Sequence, residues 1–307
     1  MSILVFGHKN PDTDTICSAI AYAELKGKLG KDVKAVRLGE INEETKFVLD
    51  YFKVEKPELI ESVSGKEIML VDHNERTQTA DGFEEAKVLE LVDHHRISNF
   101  NVDEPLYVRM EPVGCTATII LKLFKENNLL PSPTTAGLML SAIVSDTLLF
   151  KSPTCTECDV KAGKELAEIA GVNVEEYGLE MLKAGTALGG KSESELINMD
   201  MKIFEVDGSK IGVAQVNTVN EAELLERKEK LLVEIDNIIN KEGLKFFIFA
   251  ITNILSNDSI GIVAGDGNAV IEKAFNEKID NNLIALKGVV SRKKQIIPPL
   301  TKAIQEA

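Results

Sequence analysis

Cysteine is scarce in this chain of 307 residues, with four in all: Cys17, Cys115, Cys155 and Cys158. Four are too few for a disulfide scaffold of this length. Cys155 and Cys158 form a CxxC, but Cys17 and Cys115 do not make the second pair that a zinc site would usually need. Plain reduced thiols are therefore expected. No apolar run reaches the ~18 residues that would suggest a membrane span, and the stretches GLMLSAIV and KFFIFAI stop well short. The start, MSILVFGHKNPD, has no basic n-region and too short an apolar stretch for a secretion signal. A soluble, cytoplasmic protein without membrane association is the expectation. Basic charge is also in deficit, with a net charge of −14. That disfavours nucleic acid as a partner, because its backbone is bound by neutralising phosphates with Lys and Arg. Small phosphate ligands stay open if basic residues are concentrated locally. Neither an internal repeat nor a low-complexity segment is visible.

At roughly 150 residues per domain the length suggests two domains, and an apolar fraction of 44% can supply each with a core. Short apolar runs at ILVFG (3–7), DVKAVRLG (32–39), IMLVD (68–72) and VLELVD (88–93) read as strands. Helical spacing separates them in SAIAYAELKGKLG and EETKFVLDYFKV. Strands alternating with helices predict an α/β domain with a mostly parallel sheet. TATIILKLFKENNLL, TTAGLMLSAIVSDTLLF and ECDVKAGKELAEIAG add further helices. GTALGGKSESEL (185–196) is small and polar. The first domain is therefore placed at 1–187, a linker at 188–194 and the second domain at 195–307. In the second, EAELLERKEKLLVEIDNIINKEG reads as one long charged helix, and IGVAQV, KFFIFAIT, SIGIVAG and ALKGVVS as strands of a smaller α+β domain.

Histidine is the most informative shortage. There are four, none lies after residue 95, and each has aspartate close by: His8 in HKNPDTD, His73 in VDHN, and His94 and His95 in VDHH. Imidazole with carboxylate suits a borderline-to-hard divalent metal such as Mn²⁺, Co²⁺, Fe²⁺ or Zn²⁺. In open α/β sheets ligands bind outside the carboxyl ends of the strands, and His8, Asp72 and the Asp93–His94–His95 run all follow or end strands. The loop carrying His8, Asp12 and Asp14 offers an imidazole and two carboxylates before its helix begins. Asp146 is a charge inside an apolar helical stretch, and a buried carboxylate needs a partner or a metal.

Taken singly, each residue has an ordinary reading. Asp12 or Asp14 reads equally as a helix N-cap, and Asp72 as a turn residue after a strand. His95 alone would be a satisfied structural histidine, and Asp146 would pair with a lysine. The joint pattern favours a metal centre. Two imidazoles and four carboxylates are too many for one catalytic ion, but they suit two ions sharing a carboxylate. Such a pair, about 3.5–4 Å apart, holds a water and clamps a phosphoryl oxygen. The implied chemistry is metal-assisted hydrolysis of a phosphorus–oxygen bond, with C–N or ester hydrolysis left open.

HKNPDTD, VDHN and the DHH at Asp93–His94–His95 resemble the DHH phosphoesterase superfamily. SRKKQIIP (291–298), with MDMK (199–202), is similar to the C-terminal, DHHA2-like domain of family II inorganic pyrophosphatases. The resemblance runs in order over essentially the whole chain, and no CBS-type insertion fits between VDHN and DHH. It implies a manganese-dependent hydrolysis of diphosphate to two phosphates by a water bridging two metals. One metal would be held by His8, Asp12 and Asp72. The other would be held by Asp14, Asp72, His94 and Asp146, with Asp72 shared. Two Mn²⁺ per subunit are implied, with Co²⁺ as a substitute and Mg²⁺ arriving with substrate. His95 would face pyrophosphate and help the leaving phosphate, so Asp14, Asp72 and His95 carry the catalysis. Lys202, Arg292 and Lys293 would hold the substrate. Asp93 and Gln78 would support the ligands from behind. A homodimer through the N-terminal domain is implied, as is closure of the domains over substrate about a hinge near Gly189–Gly190.

The basic motif agrees on its own chemistry. Arg grips phosphate oxygens in pairs, while Lys offers a point charge. A solvated basic turn after a strand is the bland alternative for SRKK, and a surface position is the bland one for Lys202. Three functional rivals remain. A DHH oligonucleotide phosphodiesterase would carry a glycine-rich, histidine-containing motif in its C-terminal domain, and this chain has no histidine there. A DHH exopolyphosphatase shares the chemistry and differs in substrate length. A sensing module with an inactive site would have lost ligands.

Overall fold

The computed structural model describes residues 2–186, 188 and 190–306. Ala187 and Gly189, at the expected domain boundary and hinge, lie outside the described residues. The chain divides into two compact units, Met1–Gly185 and Thr186–Ala307.

The first unit runs β1 (Ile3–Phe6), α1 (Thr13–Lys28), β2 (Val33–Arg37), α2 (Glu43–Tyr51), β3 (Glu58–Leu59), β4 (Glu67–Val71), β5 (Lys87–Asp93) and β6 (Tyr107–Met110), followed by α3 (Thr116–Glu126), α4 (Pro133–Thr147), α5 (Glu157–Ala170) and α6 (Val174–Gly185). Six strands form one sheet in the order β3-β2-β1-β4-β5-β6, and every pairing is parallel. The α/β expectation holds, for the reason the apolar runs indicated. Ile68, Met69, Leu70 and Val71 are all buried in β4, as strands covered on both faces must be. Phe6 joins Ile68, Leu70 and Leu91 in one core cluster, each side chain contributing about 1.5–3 kcal/mol by burial. The strand order reverses between β1 and β4. This switch point is where an open parallel sheet leaves a crevice at its carboxyl edge.

Three details differ from the sequence reading. The strand expected at 68–72 stops at Val71, and Asp72 turns away with φ 60°. The helix expected to run through Phe150 ends at Thr147. Leu148, Leu149 and Phe150 then take left-handed φ values of 48°, 54° and 64°. Such a backbone disfavours L residues by about 1–2 kcal/mol each. The turn is held by Phe150 N donating to Thr147 Oγ1 (3.2 Å) and Leu149 N donating to Val144 O (2.9 Å). Strands β3 and β6 and helix α6 were not anticipated.

The second unit comprises α7 (Glu193–Asn198), β7 (Met201–Val206), β8 (Ser209–Thr218), α8 (Glu221–Leu225), α9 (Lys228–Glu242), β9 (Phe246–Asn253), β10 (Asp258–Gly265), α10 (Asn268–Phe275), β11 (Leu283–Leu286) and α11 (Ile297–Gln305). Its sheet has the order β11-β10-β9-β8-β7, parallel only between β8 and β9. The long helix expected over 221–243 is two helices. Between them Arg227 is tied to Glu193 (Nε to Oε1, 3.1 Å) and to Lys191 O (2.7 Å), while the buried Lys228 at the start of α9 reaches Asn281 O (3.1 Å). The strand expected at 285–291 ends at Leu286, before Gly288 with φ 69°. Gln295 there takes over the backbone pairing, accepting from Val290 N and Ser291 N and donating to Gly288 O. No helix among the described residues is long and apolar enough to cross a membrane.

Helix α4 passes so close to Phe52 that a Cβ on Gly137 would lie 2.2 Å from its ring. Gly137→Ala is therefore expected to destabilise the fold by about 1–3 kcal/mol, the cost of overpacking a core. Urea unfolding checks this, and an unchanged midpoint would contradict it.

Candidate metal centre

Neighbouring strands β1, β4 and β5 deliver the aspartate and histidine motifs to one edge. His8 follows β1, Asp72 follows β4, and Asp93 is the last residue of β5 with His94 and His95 just beyond. Asp72 keeps its backbone on the sheet, its N–H donating to Val92 O at 2.9 Å. Its left-handed turn swings the carboxylate to the sheet edge. Aspartate tolerates that conformation better than most residues.

Each oxygen of Asp72 faces a different partner. Oδ2 accepts from Thr15 Oγ1 at 2.7 Å and lies 3.6 Å from His8 Nε2. Oδ1 accepts from Thr116 Oγ1 at 3.0 Å and lies 3.4 Å from His94 Nε2. The residue is buried. The carboxylate is thus clamped by a hydroxyl on each side and presents one oxygen to each imidazole.

Asp12 has two functions at once. Oδ1 caps α1 by accepting from Thr15 N at 2.9 Å, and Oδ2 faces His8 Nε2 at 3.3 Å. The N-cap reading and the ligand reading are therefore compatible. Asp14, in the first turn of α1 and buried, accepts from Ser18 Oγ (2.5 Å) and from Thr116 N at the start of α3 (2.8 Å). Asp146 lies in the last turn of α4, with Oδ2 3.7 Å from His94 Nε2. Asp14 Oδ2 is 4.0 Å from the same nitrogen. His94 Nδ1 is hydrogen-bonded to Val113 O (3.1 Å), which turns Nε2 towards these carboxylates. A backbone carbonyl on the second nitrogen is the usual support for a metal-binding imidazole.

Three groups of side chains bring donor atoms within 4.8 Å of one another: His8, Asp12 and Asp72; Asp72, His94 and His95; and Asp14, Cys115 and Asp146. The structure thus gathers His8, Asp12 and His94 around Asp72, with Asp14 and Asp146 beside His94. Asp93 supports only one of its neighbours. Its Oδ1 receives His95 N (3.0 Å) and faces His95 Nδ1 (2.9 Å). His95 is the more exposed histidine, its side chain 51% accessible. Gln78 lines a cleft of about 310 Å³ together with His8, Asp72 and His95, and its carbonyl accepts from Lys9 N (2.8 Å), bracing the His8 loop. Sequence reasoning missed Thr15, Thr116 and Asn74. Asn74 donates to Asp93 Oδ2 at 2.6 Å. Thr15 and Thr116 reach Asp72 across 57 and 44 residues of chain, a distance no local pattern reports. Among the described residues, His73 joins none of the three donor groups. It is buried, hydrogen-bonded to Val71 O (3.0 Å), and pushed down to a pKa of about 4 by burial.

The electrostatics fit a bound cation. Burial, reinforced by the neighbouring Asp14 charge, raises Asp72 to about 7. Asp146 is pushed well above the ordinary carboxylate range by burial, then by Asp14 and Asp72. Burial opposes charge on His94, but Asp72 and Asp14 outweigh it and raise the imidazole to about 9. Buried anions crowd one another here, and divalent ions would offset them. The donors are carboxylate oxygens and imidazole nitrogens, the set preferred by Mn²⁺ and its neighbours. Cys115 is buried, and its thiol is pushed up by burial, which favours the neutral form.

In the second unit, Lys202 is exposed on β7, and Arg292 and Lys293 open a π-helical turn, Arg292–Ile296. Arg292 is fixed at both ends: its N–H donates to Gln215 Oε1 (3.0 Å), and its guanidinium donates to Asp200 O and to Asp200 Oδ1 (2.8 Å for the latter). Lys293 is exposed.

Similarity to known proteins runs along most of the chain. The DHH family, N-terminal domain, matches residues 2–143, and the DHHA2 domain matches residues 179–303. An Exiguobacterium protein named probable manganese-dependent inorganic pyrophosphatase is 59% identical over 304 residues, 98% of each chain. A Bacillus cereus protein of the same name is 56% identical over 305 residues, 99% of each chain. A crystal structure from Methanococcus jannaschii, described as a family II inorganic pyrophosphatase, superposes with a TM-score of 0.64 at 44% identity, covering 99% of this chain and 100% of that one.

The raised groups set the pH dependence of the metal-free protein. Asp72 titrates higher folded than unfolded, so its contribution is whole below about pH 4 and is lost as pH rises through about 7. His94 contributes below its ordinary 6.5 and loses that contribution as pH rises through about 9. His73, lowered to about 4, opposes them up to its ordinary 6.5, so metal-free protein is expected to melt at progressively lower temperature chiefly from pH 6.5 to pH 9. Asp72→Asn is expected to flatten the lower part of that decline and raise the melting temperature at pH 8, while weakening Mn²⁺ binding. Thermal melts with and without chelator check both, and a flat profile for the parent would contradict the charge-crowding account.

Proposed function

We propose that this chain, which belongs to the family of manganese-dependent inorganic pyrophosphatases, hydrolyses diphosphate to two phosphates at the Asp72-centred site of its first unit. The observation that carries this reading is the shared carboxylate, with one oxygen turned to His8 and the other to His94. It supports two adjoining metal positions: His8, Asp12 and Asp72 for one, and Asp14, Asp72, His94 and Asp146 for the other. Manganese is the metal proposed, two ions per subunit, with Co²⁺ as a substitute and Mg²⁺ entering with the substrate. When bound, such ions supply Lewis acidity and a water acidic enough to attack phosphorus near neutral pH.

The chain's own residues supply the rest. Thr15 and Thr116 hold the Asp72 carboxylate in one orientation, so little reorganisation is left for the reaction. Asp14 is held by Ser18 Oγ and Thr116 N, which leaves it rigid beside His94. His95 is the proposed proton donor to the leaving phosphate. Its Nδ1 is held by Asp93 and its Nε2 is left for substrate, and the Asp93 hydrogen bond raises its pKa. That favours the protonated form the role requires. Diphosphate repels a nucleophile until its charge is offset. Lys202, Arg292 and Lys293 are the proposed cationic partners, with Asp200 and Gln215 fixing Arg292. Closure of the two domains on substrate is part of the proposal, as are a homodimer through the N-terminal domain and a cytoplasmic location.

The test is phosphate release by metal-stripped protein re-loaded with Mn²⁺ and given Mg²⁺. Diphosphate, tripolyphosphate and a short oligonucleotide are compared. Rapid release from diphosphate alone is expected. Activity confined to tripolyphosphate or the oligonucleotide would move the chain to another DHH chemistry. Arg292→Ala is expected to lower kcat/KM for diphosphate by roughly 100- to 1,000-fold, the range for one lost electrostatic contact to a transition state, about 2.7–4 kcal/mol. An unchanged kcat/KM would remove Arg292 from the substrate site.

A further inference from the structure

One carboxylate outside the ligand set links the two helix ends that carry Asp12, Asp14 and Asp146. Thr13 stands between Asp12 and Asp14 at the start of α1, and Ser145 immediately precedes Asp146 at the end of α4. Both hydroxyls donate to the same oxygen of Glu44. Thr13 Oγ1 reaches Glu44 Oε1 at 2.7 Å, and Ser145 Oγ reaches it at 2.5 Å. Thr13 is buried, and its hydroxyl also meets that of the buried Thr45 at 3.1 Å.

Glu44 is itself held in place. It lies in the first turn of α2, where the unpaired N–H groups favour a carboxylate. Asn42 caps that helix by accepting from Thr45 N at 2.7 Å. On its other side α6 approaches so closely that a Cβ on Gly185 would lie 2.8 Å from both Glu44 Cβ and Oε2. The Glu44 side chain therefore has little room for another rotamer.

We propose that Glu44 is a positioning residue for the metal centre: by accepting from Thr13 and Ser145 through one oxygen, it fixes Asp12 and Asp14 relative to Asp146 and so sets the affinity for divalent metal. Hydrogen-bonded partners behind metal ligands typically govern affinity in this way. The inference rests on the proposed ligand roles of Asp12, Asp14 and Asp146. It extends them to a residue that touches neither metal nor substrate and lies outside the motifs. The acceptor oxygen, rather than the negative charge, is the operative feature. Glutamine keeps that oxygen, and alanine removes it.

The experiment is a Mn²⁺ titration of the metal-free full chain, reading free Mn²⁺ by electron paramagnetic resonance, with a thermal melt of each variant. Glu44→Ala is expected to raise the Mn²⁺ Kd by about 10- to 100-fold, with Glu44→Gln within about threefold of the parent. A parent-like Kd for Glu44→Ala, whatever its melting temperature, would overturn the proposal. So would an equal loss in Glu44→Gln. Should Glu44→Ala not fold, Ser145→Ala decides: a several-fold weaker Kd supports the role, and an unchanged one rejects it. Asp146→Ala in the same titration separates the two layers. If it weakens binding while Glu44→Ala does not, only the positioning role fails. If neither weakens binding, the ligand assignment fails and takes the positioning role with it.

Discussion

Repulsion between buried carboxylates is the constraint on which the first unit turns. Asp14 and Asp72 are both buried, and Asp146 is half-buried beside them. Burial alone makes an uncompensated charge costly, and the proximity of these groups adds to that cost. The metal-free fold answers by raising Asp72 and Asp146 towards their neutral forms and His94 towards its charged one. Divalent ions answer the same repulsion without proton uptake. A centre that is unfavourable for the bare fold is thereby favourable for binding metal, and metal binding and folding become linked.

Tolerating that repulsion demands rigid support, and hydrogen bonding supplies it economically. Asp12 spends one oxygen on the cap of α1 and keeps the other for His8. Asp14 is gripped by Ser18 and by the first N–H of α3. Asp72 receives a threonine hydroxyl on each oxygen. The donors come from α1 and α3, so the packing of these helices on the sheet orients the carboxylates. His94 and His95 differ for the same reason. The first is turned inward by Val113 O, and the second is held by Asp93 and left half-exposed.

The second unit presents its basic residues by a different device. There the strand expected through Ser291 stops at Leu286, because Gly288 turns left-handed and Gln295 captures the backbone groups that a strand partner would otherwise take. The π-helical turn that follows leaves Lys293 exposed, while Gln215 and Asp200 fix Arg292. Irregular helical turns of this kind recur at functional sites.

Much of this was legible in the amino-acid sequence. The alternation of apolar runs and helical spacing determined a parallel α/β unit, because strands covered on both faces must be apolar throughout. The clustering of every histidine with aspartate before residue 96 determined that the first unit could hold divalent metal. Local patterns also marked Asp12 or Asp14 as a helix cap and Asp72 as a turn residue, and the fold uses Asp12 and Asp72 in that way. What only the tertiary structure decided is which oxygen faces which partner. The two-sided clamp on Asp72, the selective pairing of Asp93 with His95, and the link from Thr13 to Ser145 through Glu44 each join residues far apart in the chain. Local periodicity reports the face of an element, and these contacts depend on where separate elements meet. The break before α9 escaped for the same reason: Arg227 and Lys228 find their partners at Glu193, Lys191 and Asn281 only once the chain has packed.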